Sequence, residues 1–281
     1  MMSSDARADG RVCAVAGQSQ RQMGAWAAEY PGLFKADAFD PVLHSTLALA
    51  MAFSGPWLDA AGLRMANRAT LWSFGLDWIM DYAAGSRAEV DGVLARLGPV
   101  ADGGPAAPGD DLARFLADIR VELAAMPAFA ELGGVWREEL DLVLEGMALE
   151  WRWKDEGHRP GFTEYLANAD NLGFSFVFAT HWIAQGGGGD VAQVRAASWA
   201  VQRVIRLLND LGTVERDRKW GDLNALLLDV EQAEVEARVP VLVAEAEELL
   251  APLPSEYAQY MQRQMAFCSG FYGVTDFWGA H

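Results

Sequence analysis

The sequence predicts an all-α fold, a single-domain bundle of roughly nine or ten helices, and three observations predict it. Apolar residues recur at helical spacing wherever they are dense. No stretch alternates apolar and polar residues as a half-buried strand would. Gly- and Pro-rich breaks cut the chain into segments of about 15 to 30 residues, and none resembles a long flexible linker. At 281 residues, about half of them apolar, the chain can bury one large core. No fixed period repeats, which excludes a solenoid.

In chain order, "MMSSDARADGRVCAVAGQSQ" lacks the continuous apolar segment of a secretory signal. It reads as a loosely ordered tail, residues 1–20, ahead of one helical domain over 21–281. Breaks follow at 54–56, 97–111, 131–134, 156–161, 185–190 and 251–254. Between the first two, "LWSFGLDWIMDYAAGS" is an apolar helix ending near Gly85. Trp136, Leu140, Val143, Leu144 and Met147 share one helix face, as do Phe174, Phe178 and Trp182 further on. "WAVQRVIRLL" is mostly apolar, so the helix that continues into residues 206–217 is central to the bundle.

A formal charge of -17 and a pI near 4.5 argue against nucleic-acid or anionic-membrane partners, because the long-range field repels phosphate backbones and acidic lipids. A phosphate ligand would therefore need metal ions. Cys13 and Cys268 lie near opposite ends and form no disulfide framework, which makes a reducing cytoplasm the simplest compartment. No stretch of about 20 residues is apolar enough to span a bilayer, so a soluble protein is expected.

The informative stretch is "RLLNDLGTVERD". Residues four apart on a helix differ by about 40° in direction and 6 Å in height, so Asn209, Thr213 and Asp217 form a ladder about 12 Å long. An amide oxygen, a hydroxyl and a carboxylate in line suit one hard cation such as Mg²⁺, completed by waters and substrate phosphate. A solvated helix face is the plain alternative. Asp77 and Asp81 repeat the spacing beside Trp72, Phe74, Trp78 and Ile79, where unpaired acids are costly and metal coordination relieves the cost.

These residues resemble the class I terpene synthases, whose helical bundle holds three Mg²⁺ between an aspartate-rich motif and a second motif on the opposite wall. "NDLGTVERD" meets every position of the bacterial second motif. The resemblance implies that Asn209, Thr213 and Asp217 ligate one Mg²⁺ and that Arg216 contacts the diphosphate. Asp210 matches the motif without being a usual ligand. "DWIMD" departs from the common Asp-Asp-x-x-Asp by carrying Trp78 at the second position. The resemblance then implies that Asp77 is the bridging ligand of the other two ions, with Asp81 as a support or weaker ligand. "EWRWKDEGHRPGFTEYLANADNLG" looks like the family's proline loop and broken helix, with Gly173 at the break beside the cavity.

Two departures bear on closure over the diphosphate. Many bacterial members carry an Arg four residues before the break, where this chain has Ala169, and the usual C-terminal Arg-Tyr pair is absent. Arg216, Lys219 and Arg263 are the candidates to substitute. "EYLANA" and "FYGVTD" look more like plant diterpene synthases and bacterial labdane-type enzymes, a lean toward geranylgeranyl diphosphate or a bicyclic labdane-type diphosphate. The expected chemistry is metal-triggered ionisation followed by cyclisation to a hydrocarbon or alcohol. Phe74, Trp78, Phe178, Trp182 and Tyr272 are candidate cavity walls facing the cation, against plain core packing for each. His181 is a remote candidate for a terminating base.

Alternatives are a sesquiterpene synthase acting on farnesyl diphosphate and a head-to-head prenyl synthase of the squalene and phytoene type. The latter would place Asp-x-x-x-Asp on both walls, which Asp77 and Asp81 fit and the Asn209 wall does not. A chain-elongating prenyltransferase would show two Asp-Asp-x-x-Asp motifs. A catalytically dead isoprenoid-binding protein is the non-enzyme alternative. A homodimer is implied by the resemblance alone.

Overall fold

The computed structural model describes residues 4–279 and contains only helices among them. Eleven α-helices follow in order: α1 (Ser4–Glu29), α2 (Pro41–Ser54), α3 (Arg64–Asp77), α4 (Arg87–Ala101), α5 (Asp111–Ala124), α6 (Phe129–Glu156), α7 (Phe162–Ala167), α8 (Phe174–Ala184), α9 (Val191–Trp220), α10 (Gln232–Leu250) and α11 (Ser255–Tyr272). A π-helical turn, Trp78–Ala83, prolongs α3, and 3-10 turns at Ala169–Leu172 and Ala225–Leu227 precede α8 and α10. Asp40, Ser86, Asp110 and Asp190 each accept from the backbone N–H three residues on, capping α2, α4, α5 and α9.

Packing follows from which faces are apolar. Every residue of α8 from Phe174 to Ile183 is buried, so it has no solvent face and sits at the centre of the bundle. α3, α6 and α9 pack directly on it. Trp72 and Trp136 both pack on Phe176, and their indole N–H groups are satisfied by Leu112 O and Thr180 Oγ1 at 3.0 Å each. α11 lies between α2 and α9, and α1 covers α2. No helix among the described residues is long and apolar enough to cross a membrane.

Three expectations change. The tail is helical from residue 4, while residues 1–3 and 280–281 lie outside the described residues. Val12, Ala16, Ser19 and Met23 are buried at i, i+4, i+7 and i+11, a stripe of mostly small residues whose weak hydrophobicity hides its period. The break at 131–134 does not form, because α6 runs through Gly133 and Gly134. A helical Gly costs about 1 kcal/mol against Ala, and burial of Leu132 and Trp136 on either side outweighs it. With α1 counted and the two 3-10 turns separated, the number of α-helices rises to eleven.

Candidate active site

A cavity framed by α2, α3, α6, α8, α9 and α11 encloses about 1210 Å³ of non-atom space, the open solvent at its mouth included. Leu47 and Met51 of α2, Val143 and Met147 of α6, and Phe174 and Val177 of α8 line its apolar part. The charged residues gather at one end.

On α9 the predicted ladder is present as oxygens. Thr213 Oγ1 lies 2.6 Å from Asp217 Oδ2 and 3.5 Å from Asn209 Oδ1. Asn209 Nδ2 donates to Tyr272 Oη at 3.0 Å, which turns the amide oxygen toward the ladder. Tyr272 reaches it because α11 crosses α9 at Gly212, where a Cβ would stand 2.8 Å from Tyr272 O. Asp217 Oδ2 also accepts from Asn224 Nδ2 at 2.8 Å and Oδ1 from Arg216 Nη2 at 2.8 Å. Asn209 and Asp217 line the cavity, and Thr213 is buried between them. Asp210, the neighbouring acid, faces elsewhere: it accepts from Tyr165 Oη at 2.8 Å and lies 3.5 Å from Arg206 Nε, a structural pairing behind the wall.

Across the cavity, Asp77 at the end of α3 and Asp81 in the π turn both line the space. Burial raises the Asp77 carboxyl to about 6, with Arg216 pulling the other way. Burial and then Asp77 raise Asp81 well above the carboxylate range. Asp222, at the C-terminal end of α9, is pushed up to about 7 by burial and then by Asp81, although Lys154 Nζ donates to it at 2.8 Å. Arg216 Nη1 reaches Asp276 Oδ2 at 3.3 Å. Around the mouth, then, the acids Asp77, Asp81, Asp217, Asp222 and Asp276 face the bases Arg216 and Lys154.

This donor set fits a hard divalent cation. Carboxyls outnumber the cationic side chains at this end and are raised by desolvation, a cost that a metal ion would relieve. The ladder supplies only oxygen atoms, the ligands Mg²⁺ takes.

The wall residues divide. Phe74, Gly173 and Tyr272 line the cavity, and Gly173, at φ +73°, is the turn between the 3-10 segment and α8. Trp78 does not line it. It packs against Phe39, Tyr82, Trp220 and Trp278, because it points about 100° around the helix from Asp77. Phe178 packs on Tyr257 and Tyr260, and Trp182 donates to Gly188 O, both behind the cavity. Periodicity cannot orient a helix that is buried all round, and the Gly173 turn presents Phe174 and Val177 to the cavity instead.

Lys219 is exposed and does not line the cavity, since ten residues from Asn209 place it about 80° off the ladder. Arg263 is exposed and donates to Phe53 O. His181 is buried outside the cavity, stacked on Tyr260 and held down at about 3 by burial, so it is neutral and remote from the chemistry. Ala169 is buried. Sequence reasoning missed Trp220, Phe277 and Trp278, which complete the mouth. Trp220 was findable, eleven residues past Asn209 and so on the ladder's face. Phe277 and Trp278 lie in a non-helical segment that no period marks.

The sequence matches the family model described as terpene synthase family 2, C-terminal metal binding, over residues 68–237, a span holding both acidic walls. Over 270 residues it is 27% identical to the ent-pimara-9(11),15-diene synthase of Streptomyces sp. (strain KO-3988), covering 91% of this chain and 90% of that one. The fold is similar to that of linalool/nerolidol synthase from Streptomyces clavuligerus in complex with 2-fluorogeranyl diphosphate, with a TM-score of 0.73, 18% identity, and 92% and 97% of the two chains covered. It is also similar to that of 2-methylisoborneol synthase from Streptomyces coelicolor A3(2), with a TM-score of 0.73, 17% identity, and coverage of 91% and 89%.

Proposed function

The chain belongs to terpene synthase family 2, an enzyme family of bacterial class I terpene synthases, and from that premise we propose that it is a Mg²⁺-dependent cyclase of an allylic isoprenoid diphosphate. The observation that carries the reading is the oxygen ladder Asn209–Thr213–Asp217 facing the acids Asp77 and Asp81 across one cavity. The lean toward a C20 substrate rests on the likeness to the ent-pimara-9(11),15-diene synthase.

In this reading Asn209, Thr213 and Asp217 hold one Mg²⁺ and Asp77 and Asp81 hold the others, three ions by resemblance. Bound Mg²⁺ supplies the positive charge that draws electrons into the departing diphosphate. Arg216 exchanges Asp276 for a diphosphate oxygen. The apolar wall keeps water from the allylic cation, and the faces of Phe74, Phe174, Tyr272 and Trp278 stabilise it by about 0.5–2 kcal/mol each. A cytoplasmic homodimer is the expected form, and light scattering tests the assembly.

The purified protein is incubated with C10, C15 and C20 allylic diphosphates and with a bicyclic copalyl-type diphosphate, with and without Mg²⁺. Diphosphate release is followed together with gas chromatography and mass spectrometry. Release from a C20 substrate, dependent on Mg²⁺ and yielding cyclic products, is the expected result. Turnover confined to the C15 substrate would make it a sesquiterpene synthase, and absence of release from all four would overturn the reading.

A further inference from the structure

Among the described residues, two that line the cavity, Ser73 and Asn171, each carry a side-chain oxygen without a hydrogen-bond partner, and both flank the Gly173 break. Ser73 stands on α3 one turn before Asp77 and lines the cavity. Its Oγ is shielded from solvent and makes no hydrogen bond, although a helical Ser commonly bonds the carbonyl four residues back. It lies 3.9 Å from where a Cβ on Gly173 would stand. Asn171 lies two residues before the break, is only 8% exposed and lines the same cavity. Its Nδ2 donates to Glu150 Oε1 at 2.8 Å, and Arg206 Nη2 reaches the same carboxylate at 3.0 Å. That pairing sets the amide's orientation and leaves Oδ1 as the free end, buried without a partner.

We infer that Ser73 and Asn171 are specificity-determining residues whose neutral oxygens stabilise positive charge on the hydrocarbon beside Gly173 once the diphosphate has left. The inference rests on the proposed cyclase function. An unsatisfied buried acceptor costs about 1–3 kcal/mol, a cost relieved only by an occupant that presents positive charge or a donor. The Asn171 amide oxygen can only accept, so an anion is excluded beside it, and the diphosphate would have its own cationic contact in Arg216. Ser73 sits about 6 Å along the helix from Asp77, below the acidic mouth and beside the prenyl chain. The choice of oxygen also fits: an amide and an alcohol are far weaker bases than a carboxylate, and the Glu150 carboxylate that also lines the cavity is engaged by Asn171 and Arg206. Which intermediate is longest-lived then depends on how these two dipoles face it.

The test uses an isoprenoid tertiary amine, protonated as a mimic of the allylic cation, bound in the presence of Mg²⁺ and inorganic diphosphate and followed by calorimetry. Its uncharged ether isostere is the control. Ser73→Ala, a small change that removes no bond, is expected to weaken the ammonium mimic about tenfold, to leave the ether unchanged, and to shift the product mixture toward early-quenched species. Asn171→Ala is expected to act in the same direction, with its melting temperature reporting separately the lost tie to Glu150. Equal affinity of wild type and Ser73→Ala for the ammonium mimic would overturn the inference. So would incorporation of ¹⁸O from labelled water that disappears in Ser73→Ala without a change in ammonium binding, because the pair would then hold a water. Mimic binding needs no turnover, so a wild type that binds the amine yet releases no diphosphate from any substrate would sink the cyclase reading separately.

Discussion

Trp278 tests whether the chain's last residues are a detachable part of the cavity. Its indole is 3% exposed and packs against Phe39, Phe74, Trp78 and Trp220 with ring centroids 5.5, 5.3, 5.5 and 6.0 Å away. Its N–H donates to Asp77 Oδ2 at 3.2 Å. Truncating a buried Trp to Ala costs about 3–5 kcal/mol, which at 1.4 kcal/mol per tenfold is roughly a hundred- to several-thousand-fold in an opening equilibrium. If that cost fell on global unfolding, the melting temperature would drop by about 2–4 °C per kcal/mol. The segment after α11, residues 273–279, is non-helical, so it can open without unwinding a helix of the bundle. Trp278→Ala is therefore expected to speed hydrogen exchange over residues 274–279 while shifting the melting temperature by a few degrees at most. Water would enter the opened mouth, and the product mixture should broaden toward alcohols. A large fall in melting temperature with unchanged exchange in that segment would refute the reasoning and make Trp278 part of the global core.

Asn209→Ala removes one ladder oxygen, the hydrogen bond to Tyr272 and the long contact from Thr213, so turnover should fall by at least about a hundredfold with unchanged circular dichroism, a loss near 2.7 kcal/mol; retention of more than a tenth of the activity would remove Asn209 from the metal site. Asp77 titrates at about 6 and Asp222 at about 7 in the folded protein against 3.8 for the unfolded carboxyl, so each adds stability at low pH that is lost as pH rises through those values. The metal-free protein should accordingly melt higher at pH 5 than at pH 8, and Mg²⁺ should raise the melting temperature more at pH 8; equal Mg²⁺ increments at both would contradict the burial of those charges. Gly212→Ala places a Cβ 2.8 Å from Tyr272 O, which should cost about 1–3 kcal/mol, lower the melting temperature and loosen Asn209 with it; an unchanged melting temperature would mean that α11 tolerates the shift.

The helical class, most breaks and both acidic walls were legible in the sequence, because they depend on spacing along one helix. Asn209, Thr213 and Asp217 are aligned by the pitch of α9 whatever surrounds it, and Asp77 and Asp81 likewise by their own turn. Which aromatic residues face the substrate was not legible. Phe178 and Trp182 share a face with Phe174, but α8 is buried on every side, and only its neighbours decide which side looks into the cavity. Trp78 packs against Phe39, Tyr82, Trp220 and Trp278, most of them far along the chain and invisible to the spacing of its own helix. The unpartnered oxygens of Ser73 and Asn171 are likewise decided between elements, where α3 meets the turn before α8. Periodicity records directions around one axis, whereas a cavity wall is set by how several axes cross, and that information resides in long-range contacts.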